Sequence, residues 1–71
     1  MSMDLQWVEG FTISTSIDGK AAVIRANREG LLSLANHLAS LAKEAPGSHI
    51  HCDEYNSLEE GSADLIVERI R

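Results

Sequence analysis

A chain of 71 residues has room for one hydrophobic core, so residues 1–71 read as a single domain with no second unit beside it. Its 44% hydrophobic and 24% charged residues exclude a fibrous or disordered class. The formal charge of −5 argues against nucleic acid as a partner, because affinity for phosphate comes from clustered Lys and Arg.

The first strong local signal is Ile17-Asp18-Gly19-Lys20, where Asp-Gly suits a two-residue turn that needs positive φ. It predicts a hairpin with strands from Phe11 to Ile17 and from Lys20 to Ala26, Ile17 facing Lys20 and Ile13 facing Ile24. That pairing gathers Phe11, Ile13, Thr15, Ala22, Ile24 and Ala26 on one side as the core face. Asn27 follows as a cap for a helix that begins at Arg28 and runs to about Lys43 or Glu44. Leu31, Leu34, Ala35, Leu38, Leu41, Ala42 and Ala45 recur at three- and four-residue spacing, which predicts an inward stripe with Ser33, Asn36, Ser40 and Lys43 opposite. His37 lies at the edge of that stripe, and Pro46-Gly47 ends the helix.

Ser48 to Tyr55 alternates, placing Ile50 and Cys52 inward and His49, His51, Asp53 and Tyr55 outward. Asn56 to Ser62 reads as a loop, and Ala63 to Ile70 as a last strand with Leu65 and Val67 toward the core. The elements predict an α+β fold: a four-stranded sheet in β-β-α-β-β order with one helix packed on one face.

Between Lys43 and Arg69 there is no Lys or Arg, while Glu44, Asp53, Glu54, Glu59, Glu60 and Asp64 fall in that interval. Such a segment is either a solvated surface or a field that steers a basic partner. His49-x-His51-x-Asp53 shares one strand face and is the one grouping whose donors suit a transition metal, although its spacing has low specificity. Cys52 reads as a small core residue without a base beside it, and Trp7 as a residue packed against the end of the sheet. Glu59 and Glu60 have no companion acid in register for glycoside hydrolysis, and the five glycines form no phosphate loop. The expectation is therefore a binding protein, not an enzyme, with no cofactor. One cysteine fits a reducing cytoplasmic compartment. The start Met1-Ser2-Met3-Asp4-Leu5-Gln6 lacks the features of an export signal, and no apolar run approaches a membrane span.

The runs Ala26-Asn27-Arg28-Glu29-Gly30-Leu31-Leu32-Ser33-Leu34-Ala35-Asn36-His37-Leu38, Gly47-Ser48-His49-Ile50-His51-Cys52-Asp53-Glu54-Tyr55 and Leu58-Glu59-Glu60-Gly61-Ser62 carry a further reading. Together they resemble immunity protein family thirty-two, small α+β proteins associated with bacterial polymorphic toxin systems. The resemblance implies a protein that binds and neutralises a toxin domain made by the same cell or its kin, and it transfers no catalytic residue. A basic toxin domain would then meet the acidic strand and loop, through His49, His51, Asp53, Glu54, Tyr55, Glu59 and Glu60. Two other classes compete: a metal-binding or regulatory protein using His49, His51 and Asp53, and a homodimer formed through the uncovered sheet.

Overall fold

The computed structural model describes residues 7–71, so the export-signal reading made on Met1 to Gln6 lies outside the described residues. Along the chain come strand β1 (Ile13–Asp18), strand β2 (Ala21–Ala26), helix α1 (Arg28–Leu41), strand β3 (His49–Cys52) and strand β4 (Leu65–Glu68).

In the first hairpin Asp18 pairs with Ala21 and Ile13 with Ala26, a register two residues from the expected one. The turn is therefore Gly19-Lys20. Gly19 takes the positive φ, +61°, where no Cβ obstructs it, and Asp18 stays in the extended strand. A slip of two preserves which side each residue faces, and Ile13 and Thr15 are buried as the alternation requires. Ile17 and Ile24, placed on the same side, remain exposed.

Asn27 joins three segments at the start of α1. Its Oδ1 accepts from the N–H of Gly30 at 2.7 Å and of Thr12 at 3.0 Å, while its amide donates to the Gly10 carbonyl at 2.9 Å. Gly30 then lets the helix lie against β1, since a Cβ there would sit 2.4 Å from the Thr12 oxygen. Regular helix ends at Leu41, earlier than expected, and Ala42 to Glu44 close it with tighter turns such as Lys43 N–H to Ser40 O at 3.1 Å.

The helix is turned away from its leucine stripe. Its buried residues are Gly30, Ser33, His37 and Leu41, whereas Leu31 is 56% and Leu38 47% exposed. This corrects the expectation that Leu31 and Leu38 face the sheet, with Ser33 on the opposite side and His37 at the edge. The cause is the segment ahead of β1, which supplies partners for polar groups. Ser33 Oγ accepts from the Val8 N–H and donates to the Glu29 carbonyl, both at 2.8 Å. The His37 ring meets Trp7 edge-on at 3.8 Å, and Trp7 stacks on Phe11 at 4.6 Å.

β3 and β4 form a second antiparallel pair, His49 opposite Glu68 and Cys52 opposite Leu65. The expected four-stranded sheet is not formed; the described residues make two separate two-stranded sheets and one helix, and that helix contacts both hairpins. The physical reason is that the second edge of β1 is taken by the loop before β4. Glu59 N–H donates to the Ile13 carbonyl at 2.8 Å and Ala63 N–H to the Thr15 carbonyl at 3.1 Å. Thr15 N–H donates to Ser62 Oγ at 3.2 Å, and Thr15 Oγ1 to the Ala63 carbonyl. That loop also contributes Leu58 to the core, beside Ile13, Leu41, Ile50 and Cys52, with Trp7, Phe11, Leu34, Leu65 and Val67 packed around them. Among the described residues no helix is long and apolar enough to cross a membrane.

Candidate functional site

The second hairpin has one face in the core and one in solvent. Ile50 and Cys52 are buried, while His49, His51, Ile66 and Glu68 are exposed. Burial pushes the Cys52 thiol above its ordinary value, against the hydrogen-bonding influence of the Ser57 side chain and with a smaller contribution from the Asp53 charge. Cys52 packs in the core beside Ile13, Leu41, Ile50 and Leu58.

On the outer face His51 Nε2 lies 3.1 Å from Asp64 Oδ2 and 4.0 Å from Asp53 Oδ2. His49 sits across from Glu68 instead. The structure thus divides the two histidines between different carboxylates, and among the described residues no group of three or more His, Cys, Asp or Glu is placed to hold a metal ion. Asp64 was not singled out from sequence as a histidine partner. Only the register shows it: antiparallel pairing of Cys52 with Leu65 brings the residue before β4 beside the residues around Asp53.

Beyond Cys52 the chain folds into a tight acidic projection. Asp53 Oδ1 accepts from the N–H of Tyr55 at 2.9 Å and of Asn56 at 3.0 Å, and the Asp53 carbonyl accepts from Asn56 and Leu58. Ser57 takes a positive φ of 80° to complete the reversal, its hydroxyl donating to Asn56 Oδ1 at 2.9 Å. Tyr55 is left at the tip, 91% exposed. Glu54 Oε2 accepts from Gly61 N–H at 2.9 Å, which links the two arms of the loop. Glu59 and Glu60 are exposed on the second arm, where the Glu59 backbone is held by β1.

Of the sequence-predicted residues, Asp53 and Glu54 therefore serve the loop with one oxygen each, and His51 joins the same cluster through Asp53 and Asp64. Tyr55, Glu59 and Glu60 project from it, and His49 stands apart on β3. The whole interval from Glu44 to Glu68 carries no Lys or Arg, so the projection and the hairpin behind it present negative charge without internal neutralisation by basic side chains of their own.

The model of the Immunity protein 32 family matches residues 22–70, from β2 through β4. This is more than half of the chain, and the protein belongs to that family. Comparison with curated proteins and with solved structures returned no match.

Proposed function

We propose that this family member acts in the bacterial cytoplasm by binding a cognate toxin domain, and that the contact is the acidic projection around Asp53, Glu54, Tyr55, Glu59 and Glu60. The observation that carries the reading is the combination of an exposed aromatic tip with carboxylates on a loop braced by its own hydrogen bonds. A braced loop loses little conformational freedom on binding, and an exposed tyrosine supplies rigid contact area, so both favour recognition of a protein surface. The uncompensated carboxylates favour a basic partner and speed its encounter.

The test is co-expression with the toxin domain encoded beside the gene, using a variant with Asp53→Asn, Glu54→Gln, Glu59→Gln and Glu60→Gln. The amides can still accept the N–H bonds that Asp53 and Glu54 now receive, so the fold should persist. Binding should weaken, and the association rate should lose much of its dependence on salt. A folded variant that protects cells and binds as tightly as wild type at every salt concentration refutes the acidic contact.

A further inference from the structure

The two edges of the first hairpin differ. On β1 the outward backbone groups of Ile13 and Thr15 are bonded by Glu59, Ser62 and Ala63. On β2 the outward groups are those of Ala22, Ile24 and Ala26, since these stand opposite Ile17, Thr15 and Ile13. Among the described residues no backbone bond reaches them. The strand is 6 residues of unbroken register without proline, so its edge keeps the geometry that accepts a further strand. Beside that edge two isoleucines of the core side stay exposed, Ile17 at 68% and Ile24 at 46%.

We propose that β2 pairs with β2 of a second copy, antiparallel about a two-fold axis at Val23, so that one sheet runs through both molecules. Ala22 then stands opposite the partner's Ile24, and the two exchange their outward N–H and carbonyl groups. Along that row the core side reads Ile17, Ala22 and the partner's Ile24, with the small alanine leaving room between two large side chains. The two Ile24 side chains are diagonal neighbours across the axis, within reach of each other. The pairing thus covers the isoleucines that the single copy leaves in solvent. A two-fold contact must be complementary to itself in this way.

Charge selects the same register. On the other side of the sheet Asp18 pairs with Ala21 within one copy, and Ala21 stands opposite the partner's Arg25. Asp18 and Arg25 are exposed and make no ion pair among the described residues, so the long arginine can extend over the alanine to the carboxylate. Lys20, in the turn, faces the partner's Ala26. Moving the axis to Ile24 sets Arg25 against the partner's Val23, and moving it to Ala22 sets Ile24 against the partner's Lys20. Both shifts lose the match. None of Asp53, Glu54, Tyr55, Glu59 or Glu60 belongs to this edge, so it is tested apart from the toxin contact. The ladder is short, and the dimer should therefore depend on concentration.

The experiment is sedimentation equilibrium of the purified full chain from about 1 μM to about 1 mM, spanning the affinities expected of a small interface. The mass should rise from 7.7 kDa toward twice that value. Ile24→Lys should stay monomeric throughout while keeping the wild-type circular dichroism spectrum, because Ile24 is half exposed. Asp18→Arg should weaken dimerisation by on the order of tenfold, and Asp18→Arg with Arg25→Asp should restore it, since each contact occurs twice under the axis. The register is read by oxidation with glutathione disulfide, with the wild type, whose Cys52 is buried, as background. Val23→Cys sets two Cα atoms about 4.5 Å apart on the axis and should form a cross-linked dimer. Ala21→Cys, whose copies lie about 13 Å apart, should not. A wild type that remains monomeric at about 1 mM overturns the proposal, as does a dimer untouched by Ile24→Lys, a charge swap without recovery, or cross-linking no greater at Val23→Cys than at Ala21→Cys. Loss of toxin binding in Ile24→Lys with no dimer in the wild type would overturn it in favour of a toxin strand on this edge.

Discussion

The two faces of α1 invert the usual arrangement. The inward face holds Gly30, Ser33 and His37 with Leu41, and the outward face holds Leu31, Leu32, Ala35 and Leu38. Ser33 can occupy the inward side because the Val8 N–H and the Glu29 carbonyl bond its hydroxyl, and His37 packs there edge-on against the Trp7 ring. Apolar residues on the outward side have no such account within the described chain. Hydrophobicity alone therefore does not decide which face of a short helix is buried; partners for backbone and side-chain polar groups decide it too.

Leu41 and Leu38 provide the sharpest way to break this comparison, being the same residue type one turn apart. Leu41→Ala removes a side chain that is 4% exposed, and should destabilise the protein by about 2–5 kcal/mol in denaturant unfolding. Gly30→Ala should cost about 1–3 kcal/mol, because its new Cβ drives the helix off the Thr12 carbonyl and the Ala26 side chain. Leu38→Ala should change stability least, by less than about 1 kcal/mol, because the side chain is 47% exposed. If Leu38→Ala proves as damaging as Leu41→Ala, the leucine stripe faces the core after all and the inversion is wrong.

Much of the local structure was legible. Asn27 signalled the helix start and the alternation around Ile50 and Cys52 the facing of β3, because each depends on near neighbours in the chain, whereas Pro46-Gly47 set the helix end too late, since Ala42 to Glu44 already close it with tighter turns. Leu65 and Val67 likewise pack toward the core and Ile66 away from it. The hairpin register was missed by two residues because an Asp-Gly pair fits two positions of a turn, and only Gly19 needed positive φ. The sheet arrangement was not legible, since it depends on which segment reaches the free edge of β1. Residues 56–62 had the composition of a loop, yet Glu59 and Ser62 bond to that edge and Leu58 enters the core. At the candidate site the exposed tyrosine and the acidic interval could be read from sequence. The division of the histidines, His51 to Asp64 and His49 toward Glu68, required the pairing of β3 with β4.

The edge of β1 also bears on how the chain reaches this state. The hairpin turn and the helix close over short separations, whereas Thr15 waits for Ser62 and Ala63, which lie 47 and 48 residues further along. Closing so long a loop is an entropic loss that must precede the contacts offsetting it, and it slows the search relative to local steps. The early hairpin and helix therefore form a template with an open strand edge, and the late arrival of residues 59–63 seals it. During synthesis that edge stays unsealed until residues 59–63 have been made, so the interval before closure is when one molecule can pair its β1 with the wrong strand.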